Sequence, residues 1–373
     1  MKNKTESNIT NEKYTEKDSI GVISTEDKAF LSVEKEKPCN RKIFENRVRS
    51  CMIDIVVALS PIVAWGIYLF GFRVLMLTLI SVIFSFAFDL ICCVFLKKKE
   101  EIFDMSSVVI GIITALLLPP TAPLWIPIFT AFVSVVLVKN LASKLSDIWL
   151  HPAAAAIGAV YIVFPSMMFA FSKIGKWLPV FEITVGNYEK IEASTLEVLL
   201  SGVLPKESVG ALFMGFRSGA IGEMSVFLLL AAGIYLCIRK IIKPTIPLLM
   251  SLTVLILTYI YPNLAIASDT IAVRYALSHV LSGNLIFCGM FMQLYPASMP
   301  ITRRAQLACG IVGGAVVFLT RYYVAPNIGA ICAMMIISLI ARPLDLILRP
   351  SVFGGRIKKE KPLSLETDNK PEE

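Results

Sequence analysis

Hydrophobic residues fall into ten blocks along the chain, separated by short polar or proline-containing segments. A helix needs about 20 apolar residues to cross a bilayer, so the shorter blocks are predicted to be tilted, broken or half-membrane helices. The pattern predicts an all-α polytopic membrane protein with about ten transmembrane helices. The blocks lie near residues 52–70, 74–96, 105–118, 124–141, 153–172, 220–238, 245–261, 276–294, 305–323 and 328–348.

A long polar segment, 173–219, divides these blocks into five and five. Each half contains a proline-broken apolar stretch, Leu116–Pro123 in the first and Gln293–Pro300 in the second. Each stretch follows a small, serine-containing helix start, at Ser106-Ser107 and at Ser282-Gly283. Interrupted helices in corresponding positions of two halves point to a shared binding site, although prolines also end helices without functional meaning. We therefore expect two five-helix repeats with broken helices.

The polar segments complete the predicted organisation. Both terminal segments are charged and poor in aromatic residues, which is typical of disorder. The predicted units are a disordered cytoplasmic tail (1–40), a first membrane half (41–172), an extracytoplasmic loop (173–219), a second membrane half (220–355) and a cytoplasmic tail (356–373).

Composition supports membrane insertion, since 56% of the 373 residues are hydrophobic and only 17% are charged. The net charge of +8 comes from short basic runs beside apolar blocks, which the positive-inside rule explains better than nucleic-acid binding. These runs place both termini in the cytoplasm and Arg73, Arg217 and Arg321 on the outer side. The cytoplasmic runs are Arg41–Arg49, Lys97–Lys99, Lys139–Lys144, Arg239–Lys243, Arg303-Arg304 and Arg356–Lys361.

Motifs of soluble enzymes are missing from the sequence. The eight cysteines include no C-x-x-C pair, and two histidines are too few for a metal site built on several histidines. The sequence also contains no P-loop, G-x-S-x-G or Rossmann motif.

Two acidic residues lie in or near apolar blocks, Asp54 and Asp89. A charge at the centre of a bilayer costs at least about 2.5–3.5 kcal/mol, so such acids are candidates for an ion pathway. The alternative is that either side chain reaches headgroup water near a helix end.

Gly219, Gly222 and Glu223 are predicted to open the sixth span. A glycine-rich helix start offers free backbone N–H groups and a positive dipole end, which suit a phosphate or an electron-rich ring. A capped interfacial helix without a ligand explains the same residues.

Several phrases, in order from about residue 41 to 355, resemble one family. They resemble the D subunit of Rnf-type electron-transport complexes and the related B subunit of the sodium-pumping NADH:quinone reductase. The matching phrases are Ile53–Pro61, Thr114–Pro123 with Trp125–Pro127, Val138–Leu141 with Leu150–Ala153, Gly215–Ser225, Leu281–Gly283 with Pro296–Thr302, and Arg349–Gly354.

The resemblance implies a ten-span membrane domain of two five-helix halves, similar to urea-transporter-like channels. It also implies FMN joined covalently to a threonine of an exported loop, with a second, non-covalent flavin as a further expectation. The protein would join other membrane and redox subunits in the plasma membrane, and a flavin transferase would modify it. That complex would pass electrons between ferredoxin and NAD, coupled to Na⁺ or H⁺ movement.

Thr195 is the candidate for flavin attachment, because Glu189–Thr195 is the nearest match to the family's attachment motif. The match is imperfect, with Glu192 and Ser194 in place of the family's Ser/Thr and Ala. The alternative is an ordinary surface threonine that caps a short helix, Leu196–Leu200. The other candidate cofactor-binding residues are Pro120, Thr121, Arg217, Gly222, Glu223, Ser282 and Gly283.

Two further residues depart from the family pattern. His151 stands where the family has Asn, and Tyr295 stands where it has Asp. These departures leave two alternatives open: a transporter or channel for flavin or another small polar solute, and a membrane scaffold that has lost its cofactor.

Overall fold

A computed structural model describes eight stretches of the chain and the pair 174–175. The stretches are 38–96, 105–142, 150–172, 177–181, 193–205, 207–262, 269–295 and 298–348. Side chains are described from residue 47 in the first stretch and from residue 271 in the seventh. The predicted tails and the basic runs Lys97–Lys99 and Arg356–Lys361 lie outside the described residues, apart from residues 38–40. By internal contacts the chain divides into Met1–Ile53 and Asp54–Glu373.

Every regular element in these stretches is a helix. In the first half of the chain α1 and α2 are long and are separated only by Gly71, whose φ of 84° ends α1. The helix α4 continues directly into a π-helix, Phe132–Ala142. The α-helices are α1 Pro38–Phe70, α2 Phe72–Phe95, α3 Ser106–Leu116, α4 Ile126–Ala131, α5 Pro152–Val163 and α6 Pro165–Met168.

The second half begins with two short helices in the predicted loop, followed by longer apolar helices. Two 3₁₀ turns, Ile221–Glu223 and Met292–Leu294, lie next to α9 and α12. The α-helices are α7 Thr195–Leu200, α8 Val209–Met214, α9 Val226–Ile238, α10 Thr245–Ile260, α11 Asp269–Leu281, α12 Leu285–Phe291, α13 Arg303–Tyr323 and α14 Gly329–Ile347.

Four of the helical segments are long and apolar enough to cross a membrane: Arg47–Phe70, Phe72–Phe95, Arg303–Tyr323 and Gly329–Ile347. A fifth candidate is the pair Ile271–Leu281 and Leu285–Leu294, which is bent by 44°. The all-helical, multi-pass membrane character predicted from the hydrophobic blocks is therefore confirmed. The count of ten spans and the two-repeat arrangement stay predictions.

Small residues let α13 approach α10 closely. A Cβ added to Gly314 would lie 2.5 Å from the Cβ of Thr253 and 2.8 Å from the carbonyl oxygen of Met250, both on α10. One turn earlier, a Cβ on Gly310 would meet Leu249 of α10 at 2.7 Å. Close backbone approach at small residues is a common basis for helix association in membranes.

A similar contact joins α2 to α3. Ser81 Oγ donates to the carbonyl oxygen of Gly111 at 2.8 Å and lies 3.1 Å from Thr114 Oγ1. A Cβ on Gly111 would lie 3.0 Å from Ser85 Oγ, so α3 presents its small residue to the serine side of α2.

We expect Gly314→Ala to lower the stability of the protein, because the added methyl group overlaps Thr253 and forces α10 and α13 apart. Overpacking of this kind costs about 1–3 kcal/mol. The measurement is the thermal unfolding midpoint of the protein in detergent.

The matched control is Gly210→Ala on α8, where the nearest neighbour of the new Cβ is Ser208 Oγ at 3.9 Å. Equal midpoints for the two variants would contradict the close packing of α10 on α13.

Candidate functional site: buried arginines at two helix breaks

The turn before α9, Ile221–Glu223, packs between the end of α3 and the helix α12. Ile221 N–H donates to the carbonyl oxygen of Leu118, just after α3, at 3.1 Å. A Cβ on Gly222 would lie 2.9 Å from the carbonyl oxygen of Leu116 and 3.0 Å from the ring of Phe287 on α12. Only glycine fits at this position, because backbone lies on one side and an aromatic ring on the other.

Glu223 closes this turn on itself. Its Oε1 accepts a hydrogen bond from Ala220 N–H at 3.0 Å, and the carboxylate fills the space where Gly219 would carry a Cβ. Glu223 belongs to the 3₁₀ turn directly before α9, which begins at Val226 with Ser225 as its N-cap. Burial raises the pKa of Glu223, which lies outside the spanning helices, while the nearby Arg217 guanidinium opposes the rise.

Arg217 links this turn to the end of α11. The side chain is buried, with 2% exposed. Its two terminal nitrogens donate to the carbonyl oxygens of Glu223 and Leu281. The prediction that Arg217 lies in an outer loop missed this role, because charge patterning cannot show which carbonyl groups a guanidinium will reach.

Arg321 holds the same helix end from the last turn of α13. Its Nη1 donates to the carbonyl oxygen of His279 at 2.6 Å and its Nη2 to that of Ser282 at 3.0 Å. Beyond Ser282 the chain turns through Gly283, at φ 72°, into α12. The last carbonyl groups of a helix lack partners within it and form its negative end, so guanidinium groups stabilise the break.

Arg73, at the start of α2, does the same for the proline-rich turn after α3. It is fully buried. Its Nε donates to the carbonyl oxygen of Pro120 at 3.1 Å, and its Nη2 to those of Ala122 at 3.1 Å and Thr121 at 3.5 Å. Pro120 and Thr121 therefore contribute carbonyl oxygens to an arginine, while the hydroxyl of Thr121 donates to the carbonyl oxygen of Ala170.

Thr195 lies beside the α11–α12 break. It is the first residue of α7 and is 7% exposed. Ser194, and not Thr195, is the N-cap: its hydroxyl accepts from Glu197 N–H at 3.2 Å, and Glu197 reciprocates. The next residue, Leu196, contacts the position where Gly283 would carry a Cβ. Residues 189–192 of the candidate attachment motif lie outside the described residues.

The structure thus brings eight sequence-predicted residues to one region where the two halves meet. These are Pro120, Thr121, Thr195, Arg217, Gly222, Glu223, Ser282 and Gly283. Arg73, Arg321 and His279 also belong to this region, although the sequence pattern did not predict it. Their only signal was a charged or polar residue within or at the edge of an apolar block.

Asp54 forms a separate contact between α1 and α9. Its carboxylate accepts hydrogen bonds from Arg239 Nε at 2.9 Å and Nη2 at 2.8 Å, and from Tyr235 OH at 3.1 Å. The pair lies near the surface, since 51% of the Arg239 side chain is exposed.

Asp89 is paired deeper in the structure. Its Oδ2 lies 2.9 Å from Lys139 Nζ, and its Oδ1 accepts from Asn140 Nδ2 at 3.3 Å. Lys139 and Asn140 belong to the π-helix, within the predicted apolar block 124–141, and the cytoplasmic position of the run Lys139–Lys144 stays a prediction. π-helical segments are often found at functional sites.

Comparison with known proteins assigns this sequence to a family. A sequence model of the NQR2, RnfD, RnfE family matches residues 41–354. The chain belongs to this family.

Individual relatives of the NQR2, RnfD, RnfE family match nearly end to end. The D subunit of an ion-translocating oxidoreductase complex from Stutzerimonas stutzeri is 28% identical, over 86% of this chain and 96% of the relative. The D subunit of a Na⁺-translocating ferredoxin:NAD⁺ oxidoreductase complex from Acetobacterium woodii is 29% identical, over 83% and 92%. The D subunit of a proton-translocating ferredoxin:NAD⁺ oxidoreductase complex from Clostridium ljungdahlii is 25% identical, over 84% and 93%.

In this member of the family the two residues that depart from the expected pattern contact each other. The rings of His151 and Tyr295 pack edge to face, with 5.9 Å between centroids. Burial lowers the pKa of His151, the residue before α5, to about 4, and its Nδ1 accepts from Ala154 N–H at 3.2 Å. The imidazole is therefore neutral at pH 7, and the two departures form one neutral aromatic contact.

We expect Asp89→Leu alone, or Lys139→Leu alone, to destabilise the protein by about 3–5 kcal/mol, because each removes one member of a buried ion pair. The double variant Asp89→Leu/Lys139→Leu should regain most of the loss, since both charges are removed together. Thermal unfolding midpoints of the three variants measure this coupling. Additive losses in the double variant would show that the pair is not a single energetic unit.

Proposed function

We propose that this protein is the D subunit of an Rnf-like complex that transfers electrons between ferredoxin and NAD and couples the transfer to cation movement. The observation that carries the proposal is the near end-to-end match to relatives that bear this name. The other subunits of that complex are its expected partners. Because the named relatives include both a Na⁺-translocating and a proton-translocating complex, the proposal specifies a monovalent cation, Na⁺ or H⁺.

The membrane arrangement belongs to the same proposal. Besides the four long helices and the bent pair, five apolar helical segments of 10–17 residues follow the remaining hydrophobic blocks. Four, one and five make the ten proposed spans, in two five-helix halves with both termini in the cytoplasm and the protein in the plasma membrane. The breaks after α3 and between α11 and α12 support the two-half arrangement.

Flavin attachment at Thr195 is the second part of the proposal. Thr195 would hold the FMN, and Ser282 and Gly283 are proposed to contribute to the same site, because the neighbouring Leu196 packs against Gly283. Bound there, the flavin would accept and pass on electrons, a chemistry that the side chains lack. A second, non-covalent flavin remains a prediction of the resemblance.

The burial of Thr195 sets a condition on attachment. A flavin transferase must reach the hydroxyl of Thr195, a residue that is only 7% exposed in the folded protein. We infer that α7 is modified before it docks against α11, or when it swings away. One contact between α7 and the rest of the structure is a hydrogen bond from Asn327 Nδ2 to Ser194 Oγ at 3.2 Å.

Asp89 and Asp54 are proposed members of the cation pathway. Asp89 offers a carboxylate inside an apolar helix pair, where its partner Lys139 neutralises it. Asp54 lies near the surface and is held by Arg239. Ionisable residues among apolar helices cost free energy, so they are candidates for a functional role by default.

We expect Thr195→Ala to abolish covalent flavin while the protein remains folded and inserted, because the phosphoester needs the hydroxyl oxygen. The measurement is in-gel flavin fluorescence of the denatured protein after co-expression with a flavin transferase. Ser201→Ala, at the other end of α7, is the matched control and should stay fluorescent. A dark wild-type band would count against flavin attachment and favour the transporter alternative.

We expect Asp89→Leu/Lys139→Leu to lower cation uptake by proteoliposomes that contain the purified complex at least about tenfold. The reason is that the proposed pathway would lose its carboxylate among the apolar helices. Flavin fluorescence should be unchanged. For Asp54 the informative pair is Asp54→Asn and Arg239→Gln. Loss of uptake in Asp54→Asn alone supports a pathway role, whereas equal loss in both points to a structural ion pair.

A further inference from the structure

A group of buried polar side chains surrounds the turn between α11 and α12. We call it the break cluster; none of its members is more than 3% exposed. Ser282, the residue after α11, donates its N–H to the carbonyl oxygen of Ser278 at 3.0 Å, so the two serines are one turn apart. The members are Arg217, Ser278, His279, Ser282, Asn284 and Arg321.

The break cluster contains most of the buried polar atoms that lack a hydrogen-bond partner within the described part of the chain. Eleven buried side-chain atoms have none, and seven of them belong to this cluster. Native proteins leave few buried polar groups unpaired, so such a concentration requires an explanation. The seven are Arg217 Nε, Ser278 Oγ, His279 Nδ1 and Nε2, Ser282 Oγ, Asn284 Oδ1 and Arg321 Nε.

Support of the helix end explains only part of this arrangement. The terminal nitrogens of Arg217 and Arg321 hold the carbonyl oxygens of Leu281, His279 and Ser282. That role leaves both Nε–H groups unused and gives no reason for two serine hydroxyls and an imidazole without partners in the stretches described. A further group of acceptor oxygens would satisfy the two Nε–H groups, the two hydroxyls and one imidazole N–H.

The charge of the region points to an acceptor that is negative. Arg217 and Arg321 bring two positive charges, and Glu223 is the acid whose charge acts on both. Burying an uncompensated charge is expensive. The helix-end carbonyl oxygens that would repel an anion are already covered by the two guanidinium groups, whose remaining N–H donors suit phosphate and carboxylate oxygens.

We propose that the break cluster binds an oxyanion of the phosphate class. The Nε–H groups of Arg217 and Arg321 and the hydroxyls of Ser278 and Ser282 donate to its oxygens, and His279 supplies one further N–H. The oxyanion is either free phosphate or the phosphate of a nucleotide-like cofactor. The site does not require a covalent flavin at Thr195, so each of the two proposals can fail without the other.

The test uses full-length protein in detergent, made without a flavin transferase so that Thr195 is unmodified. Thermal unfolding midpoints are measured against increasing inorganic phosphate, riboflavin 5′-phosphate and riboflavin, with chloride keeping the ionic strength constant. We expect a saturable rise with phosphate or riboflavin 5′-phosphate, and no rise with riboflavin. Phosphate acting alone or with riboflavin 5′-phosphate identifies a general oxyanion site, whereas riboflavin 5′-phosphate acting alone identifies the cofactor as the source.

The informative variants are Ser278→Ala and Ser282→Ala, because Arg217 and Arg321 also hold the fold. Without ligand these variants should unfold no earlier than wild type, since their hydroxyls make no hydrogen bonds to the described residues. The ligand concentration for half-maximal stabilisation should rise about tenfold, as expected for losing a hydrogen bond to a charged group.

The control is Ser338→Ala on α14, whose buried hydroxyl donates to the carbonyl oxygen of Met335 at 2.7 Å. It should leave the half-saturating concentration unchanged. The proposal is overturned if none of the anions stabilises the protein, if riboflavin stabilises it as well as its phosphate, or if the two serine variants respond like wild type.

Discussion

Three buried arginines hold the carbonyl groups that are released where helices break, and the central region depends on this interaction. In a membrane protein an unpaired carbonyl group finds no water in the hydrocarbon region, so broken helices persist only where the protein itself supplies donors. Arg73 supplies them to the turn after α3, whereas Arg217 and Arg321 supply them to the end of α11. Each guanidinium serves several carbonyl groups at once, which fixes the position of the turn.

The same interaction places the candidate functional residues. Because Arg217 joins the end of α11 to Glu223, the turn at Ile221–Glu223 is held between α3 and α12. Gly222 permits this contact by having no side chain. Thr195 precedes Leu196, which packs against Gly283, so the candidate attachment residue lies close to the break cluster. Thr195 and the break cluster are distant along the chain, so packing at the break brings them together.

Polar residues elsewhere in the apolar helices follow a second rule, which is pairing between helices. Asp54 binds Arg239, and Asp89 binds Lys139 and Asn140, so each acid joins two elements far apart in sequence. Pairing removes most of the penalty of a charge among apolar side chains and also holds each carboxylate in one place. In this protein charge serves helix association and the proposed cation pathway through the same residues.

The helical, multi-pass character of the protein follows from the sequence alone. The length of each hydrophobic block can be read from the chain, and bilayer thickness sets the length that a spanning helix needs. The family also follows from ordered phrases, and the break at Pro119-Pro120 follows from prolines, which end a helix. The second break was predicted at Gln293–Pro300, whereas the structure breaks the helix earlier, at Ser282-Gly283, which the sequence indicated only as a helix start. The partners of the polar residues emerge only from the packed structure. The charge pattern assigned Arg73 and Arg321 only to the outer side and Lys139 only to a cytoplasmic run, and it gave no role to His279. Hydrogen-bond and ion partners are fixed by long-range packing, and residue order along the chain does not encode that packing in any local pattern.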